Sequence, residues 1–142
     1  KNIAEYIRHK ASAFIFTAAL PPASVAGVLE GLDILANDSK RRKRLNENTT
    51  FIKRAFFELG IQVNNNHVPI VPIQIGDEAL TLYMNRLLFD DAVFAGVAVS
   101  PVVPPLKAMI RTSYTSEHTK KDLDRILTSF EKNLKKIGIL PQ

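Results

Sequence analysis

Cysteine is absent from the 142 residues, which excludes both a disulfide framework and a thiolate metal site. Long apolar runs are missing too. None approaches the roughly 20 residues that a membrane-spanning helix needs, and the amino end carries no signal-peptide pattern. A cytoplasmic protein with no membrane span is therefore expected. No Walker loop, dinucleotide-binding glycine fingerprint or Gly-x-Ser-x-Gly elbow occurs, so the phosphate-binding and nucleophilic devices these motifs build are not encoded. No His, Asp or Glu pair has ligand spacing on one face, and no metal centre is expected. Internal repeats and low-complexity tracts are lacking as well.

What is present is ordinary globular chemistry. The hydrophobic fraction is 46% and the charged fraction 23%, in a chain of one domain's length that can bury a proper core. The net charge of +5 permits an acidic partner such as nucleic acid, coenzyme A or a membrane surface, without requiring one. The first residue is Lys1 rather than Met, and Ile3, Ala4, Tyr6 and Ile7 follow at once in helical-looking sequence. A fragment, a truncated chain or a tag-cleaved product is expected on that ground.

Hydrophobic spacing predicts the elements. Val25, Val28, Leu29, Leu32 and Leu35 mark a helix begun by Pro21-Pro22. A second helix, about residues 40–59, carries Leu45, Ile52, Phe56 and Leu59 on one face and ends at Gly60. Ile61 to Val63 is a short strand candidate, followed by an Asn64-Asn65-Asn66 turn. Ile70 to Ile75 reads as a strand held to a sheet edge by Pro72, which has no N–H to donate. Asp77 caps a helix with Leu80, Met84, Leu87 and Leu88 on one face. Val93–Val99 and Met109–Tyr114 are two further strands, joined by the proline-rich loop 100–105. Thr119 with Asp122 forms a capping-box pattern ahead of the stripe Leu123, Ile126, Leu127, Phe130, Leu134 and Ile137, closed by Gly138. The fold class is α+β: a small, mostly antiparallel sheet covered by helices, with a helical region at 1–60 and a sheet-and-helix core at 61–142.

Arg111 is the first candidate for chemistry. It sits in an apolar strand, where a charge is costly without a function, and alternation sets it on the face opposite Ile110. A guanidinium fixed on a strand is a good bidentate receptor for a carboxylate. The competing roles are a side chain reaching to solvent or one paired with an acid such as Glu117. His118, just before the Thr119 cap, is either an acid, base or anion contact or a packing residue at a helix start. Lys40-Arg41-Arg42-Lys43-Arg44 could contact phosphates or form a solvated helix face. It lacks the interleaved aromatics of a nucleic-acid module.

The order of motifs is informative. Phe14-Ile15-Phe16-Thr17-Ala18-Ala19-Leu20-Pro21-Pro22 comes first, then Asn46-Glu47-Asn48 in a long helix. Pro69-Ile70-Val71-Pro72-Ile73, Val99-Ser100-Pro101, Ile110-Arg111 and Glu117-His118-Thr119 follow, ahead of a final amphipathic helix. Nearly end to end, this series resembles the carboxyl-terminal part of the α-oxoamine synthases, which are fold-type I pyridoxal-phosphate (PLP) enzymes of the class-II aminotransferase kind. In wording it is most similar to bacterial serine palmitoyltransferases.

The resemblance implies a small domain, residues 1–142, of an enzyme that is homodimeric at full length. Such enzymes condense an amino acid with an acyl-CoA and release carbon dioxide, with PLP as electron sink. By resemblance, Arg111 holds the amino-acid carboxylate, and Thr17 and Ala18 reach the cofactor phosphate of the neighbouring subunit. His118 and Ser100 are secondary contacts, Ser100 standing where some relatives carry an arginine. No catalytic residue is expected in this chain: the Schiff-base lysine belongs to the upstream domain, so the chain alone is expected to be inactive. The alternatives are glycine C-acetyltransferase, 8-amino-7-oxononanoate synthase or a fold-type I aminotransferase. A basic nucleic-acid-binding module is the rival of another class, although no nucleic-acid partner is expected.

Overall fold

The structure, a computed structural model, describes residues 2–18, 20–64 and 66–141. Ala19 of the Thr17–Pro22 motif and Asn65 of the expected asparagine turn lie outside the described residues. The chain divides into two compact units, residues 1–39 and 40–142.

The first unit is helical. It contains α1 (Asn2–Lys10), the single turn α2 (Ser12–Ile15) and α3 (Pro22–Asn37). Pro22 occupies the first turn of α3, where its missing N–H costs nothing. None of these helices buries a residue. Phe14, Ile15 and Phe16, and Val28, Leu29, Leu32 and Leu35 along α3, are all at least half exposed.

The second unit holds α4 (Ser39–Glu58), β1 (Ile70–Gly76), α5 (Glu78–Asp90), β2 (Gly96–Ala98), β3 (Ala108–Ser113) and α6 (Lys120–Lys136). The three strands form one antiparallel sheet in the order β1-β3-β2. Pro72 therefore lies on an edge strand, as its missing donor requires. Alternation along β3 turns Ala108, Ile110 and Thr112 into the core and leaves Arg111 and Ser113 on the other face. Ile52 and Phe56 of α4, Met84 and Leu88 of α5, and Leu123, Phe130 and Leu134 of α6 pack with Val71, Ile73 and Ile110 of the sheet. At their centre Phe56 meets Phe130 edge to face, with ring centroids 5.2 Å apart. Among the described residues no helix is long and apolar enough to cross a membrane.

Two expected strands come out differently. Residues 61–63 form no strand. Gly60, at φ +84, ends α4 with its N–H on the Phe57 carbonyl, while the Ile61 N–H reaches back to Phe56 O. Ile61 is thus the hydrophobic residue that closes a helix C-cap. The strand expected from Val93 shrinks to Gly96–Ala98 for the same reason. Ala92 takes the left-handed position (φ 59), and the Ala92 and Val93 N–H groups return to Phe89 O and Leu88 O, so Val93 finishes α5 instead of starting β2. In α5 the buried face is Thr81, Met84 and Leu88. Leu80 is turned outward, and the Thr81 hydroxyl is satisfied by donating to Asp77 O at 2.6 Å.

The caps follow the sequence. The Asp77 carboxylate accepts from Leu80 N at 2.8 Å. Thr119 and Asp122 form the reciprocal capping box, and those contacts hold the Asp122 carboxyl below its ordinary range, the Thr119 hydroxyl acting most strongly.

Candidate functional site

Arg111 stands at the middle of the central strand, paired across β1 with Pro72 and across β2 with Gly96. Both neighbours are small or flat on the face it occupies. Its side chain runs over Gly96, where an added Cβ would lie 3.7 Å from Nε and 3.8 Å from one terminal nitrogen. Glycine thus leaves the guanidinium a bed on the sheet.

Among the described residues no hydrogen bond or ion pair engages the Arg111 side chain. The pairing with Glu117 does not form; the Glu117 carboxylate instead accepts from the neighbouring Ser116 hydroxyl at 3.2 Å. The result is an exposed, rigidly based cation with its fork free. A planar carboxylate matches that fork in geometry and charge.

The loop after β3 is braced from a distance. Asn48, near the middle of α4, donates through Nδ2 to Thr115 O and to His118 O, both at 3.0 Å. His118 is half-buried, with its ring edge-on to Tyr114. Its Nδ1 accepts from Thr115 N at 3.1 Å, which assigns the neutral proton to Nε2. His118 is therefore primarily a loop brace. Asn48 was visible in the sequence only as one letter of a motif. Its signal was a polar residue of modest helix propensity in a helix interior, and nothing local named its partners across roughly seventy positions of chain.

Ser100 follows β2 beyond Ala98, the end away from Gly96 and Arg111. Its N–H donates to Glu78 Oε1 at 3.2 Å, tying the proline-rich loop to the first turn of α5. Thr17 and Ala18 belong to the other unit. The Thr17 hydroxyl donates to Ala13 O. The backbone N–H groups of Thr17 and Ala18 have no carbonyl partner among the described residues, and unengaged amides of this kind are suited to a phosphate. The structure thus brings Arg111 and the His118 loop onto one unit, and leaves Ser100 at the other end of the sheet.

A separate polar cluster is structural. Asp91, just past α5, accepts from Lys132 Nζ and Ser129 Oγ at 2.7 Å and from Asn133 Nδ2 at 2.9 Å. These donors, Lys132 first, lower its pKa to about 2 and fasten α5 to α6. The basic run at 40–44 lies in the first turns of α4. Lys43 there is 3.8 Å from Glu47 with both side chains largely exposed, a pair of little energetic weight.

Comparison with known proteins adds the family. The model of class I and II aminotransferases matches residues 1–130. The 8-amino-7-oxononanoate synthase of Thermoanaerobacter pseudethanolicus is 38% identical over 99% of this chain and 35% of its own length. The serine palmitoyltransferase of Bacteriovorax stolpii is 37% identical over 99% of this chain and 33% of its own. Among solved structures, a serine palmitoyltransferase from S. paucimobilis with a bound PLP–myriocin aldimine superposes with a TM-score of 0.87. It is 25% identical, over 96% of this chain and 35% of that one. The chain spans about a third of the length of the curated relatives it matches.

Proposed function

The chain belongs to the class I and II aminotransferase family, and from that membership we propose that it is the carboxyl-terminal part of a PLP-dependent α-oxoamine synthase, homodimeric at full length. In this reading the enzyme joins an amino acid to an acyl-CoA with loss of carbon dioxide. The observation that carries it is Arg111, a guanidinium seated on Gly96 with no partner of its own among the described residues. It is the receptor for the amino-acid carboxylate.

Two hydrogen bonds from one rigid fork fix both the position and the tilt of the substrate, so the bond to be broken is presented in one orientation. The Asn48-braced loop after β3 keeps the strand end from relaxing. PLP, when bound, supplies the electron sink for carbanion chemistry. The residues here that suit it are Thr17 and Ala18, through their unengaged backbone N–H groups and at its phosphate. Support for the missing remainder comes from α3. Its apolar side chains, at least 40% exposed from Val25 to Leu35, form a surface that the rest of the polypeptide or a second subunit would cover.

The acyl donor is a finer question. The wording of Thr17–Pro22 and Ser116–Thr119 favours serine with a long-chain acyl-CoA. Identities of 38% to a synthase of 8-amino-7-oxononanoate and 37% to a serine palmitoyltransferase support the two donors equally. A matrix of serine, glycine and alanine against acetyl-, pimeloyl- and palmitoyl-CoA decides it.

Arg111→Ala in the enzyme that contains this chain tests the central assignment. Loss of a charge-assisted pair worth about 1.5–3 kcal/mol per bond lowers kcat/KM for the amino acid roughly tenfold to hundredfold, with acyl-CoA use changed far less. Arg111→Lys recovers part, keeping the charge and losing the fork. Unchanged amino-acid kinetics would overturn the assignment. Amino-group transfer without CoA release would move the enzyme to the aminotransferases.

A further inference from the structure

We propose that the cleft lined by α4 and by Val63, Asn64, Asn66 and His67 is a nucleoside-phosphate site, with Lys53 and His67 on the phosphate and Phe57 against the base. While α4 buries Thr49, Ile52 and Phe56, steps of three and four place Asn46, Thr50, Lys53 and Phe57 along another face. These four, with Val63 and His67 opposite, line a cleft of about 620 Å³. That lies within the few hundred to about 1,000 Å³ typical of small-ligand sites.

The lining is one-sided in charge. Lys53, Arg54 and His67 contribute to it, and no aspartate or glutamate does. Lys53 Nζ donates to the Asn66 carbonyl and, at 2.9 Å, to Asn66 Oδ1. This pins the ammonium at the cleft and leaves its third N–H for a ligand. Partial burial lowers its pKa, a cost that a bound anion relieves. Arg54 is held through Nε by Glu58 at 2.8 Å and keeps its terminal N–H groups. Asn46 and Asn64 add amides that suit a phosphate or a sugar hydroxyl.

The other half of the site is apolar. Phe57 is 72% exposed and lines the same cleft as Lys53 and Arg54. A flat heterocycle laid on it gains stacking that a bare phosphate or an acidic side chain cannot. A nucleic-acid strand would need successive stacking platforms, whereas Phe57 is the one aromatic ring in this lining apart from His67. Lys43 lies one turn before Asn46 on the same helix, so a longer phosphate chain would run toward the first turns of α4. The source of the nucleotide is either free in solution or the nucleotide end of an acyl-CoA. Only the second rests on the synthase reading.

The test is fluorescence anisotropy of an N-methylanthraniloyl-ADP with the enzyme that contains this chain, displaced by ADP, CoA, adenosine, inorganic phosphate and a short RNA. Lys53→Ala should weaken binding about ten- to hundredfold and Phe57→Ala about five- to hundredfold. His67→Ala is a second phosphate-side variant should Lys53→Ala fail to fold by circular dichroism, and Lys121→Ala, on α6, should bind as wild type. Tighter displacement by CoA than by ADP identifies the acyl donor as occupant, and the reverse identifies a free nucleotide. No saturable binding, insensitivity to Lys53, His67 and Phe57, displacement by inorganic phosphate as strong as by ADP, or preference for RNA would each overturn the proposal. Absence of binding in an enzyme that still releases CoA removes the cleft and leaves the synthase reading intact. Binding in an enzyme that releases none does the opposite.

Discussion

Phe130→Ala is a severe truncation of this core. Phe130 is fully buried on α6 and meets Phe56 of α4 at 72° and 5.2 Å, so it joins two of the three helices that pack on the sheet. Burial of this kind costs about 3–5 kcal/mol on truncation to alanine, a fifth or more of the roughly 5–15 kcal/mol that a domain has. Within that cost, the edge-to-face contact should appear as a coupling of about 0.5–1.5 kcal/mol in a double-mutant cycle with Phe56→Ala. Phe57→Ala is the internal control: one residue further along α4, but exposed, it should change stability by less than about 0.5 kcal/mol in the absence of ligand. Urea unfolding followed by far-UV circular dichroism reads all of these. A Phe57 effect as large as that of Phe130, or no coupling between Phe56 and Phe130, would refute the helix faces and with them the placement of α4 over the sheet.

Three further outcomes follow from the same geometry. Asp91 has its pKa lowered from 3.8 to about 2, so its contribution is present above 3.8 and lost as pH falls toward about 2; Asp91→Asn should flatten the acid limb of a stability–pH profile in that window, and an unchanged limb would remove the assigned role. Burial raises the pKa of Tyr114, and its hydroxyl has no hydrogen-bond partner among the described residues, the nearby Thr112 hydroxyl donating instead to Val71 O at 2.9 Å. Tyr114→Phe should therefore leave stability unchanged or raise it by up to about 1 kcal/mol, and a loss larger than that in thermal or urea unfolding would mean the hydroxyl is satisfied. Thr119→Ala removes half of the capping box and should cost about 1 kcal/mol, read by the same unfolding measurement.

The helices and the sheet could be read from the chain because their signals are local. The apolar stripe of α6, the Asp77 and Thr119 caps, and Pro72 at an edge each follow from neighbours within a few residues. The misread segments share one cause. Ile61 and Val93 are β-favouring residues that serve to close helix C-caps, and at Ala92 the left-handed position lacks the glycine that would have announced it. Helical spacing sets Leu80 on the same face as Met84, Leu87 and Leu88, yet Leu80 is turned outward. Thr81 takes that place because its hydroxyl finds the Asp77 carbonyl one turn back, which no hydrophobicity pattern reveals. For the site, alternation was enough to set Arg111 opposite Ile110. The features that make Arg111 usable, Gly96 beneath it and Asn48 holding the following loop, depend on pairings distant in sequence.

Those pairings also explain how the chain carries Arg111 in an apolar strand without burying its charge. A buried arginine without a partner would be untenable. The middle of a three-stranded sheet with one face on the core is among the stiffest positions a small unit can offer. Setting the guanidinium on the opposite face keeps it in water; in the proposed reading the desolvation cost falls only when the carboxylate binds and is offset there by two charge-assisted bonds. Gly96 adds to this: an added Cβ there would already touch the arginine side chain at 3.7 Å, so only branches beyond it would compete for the space. In the proposed reading the chemistry that follows draws on groups from the rest of the enzyme. The bare apolar side chains of α3 and the unengaged amides of Thr17 and Ala18 are the surfaces through which, in the proposed reading, the remaining two-thirds would supply them.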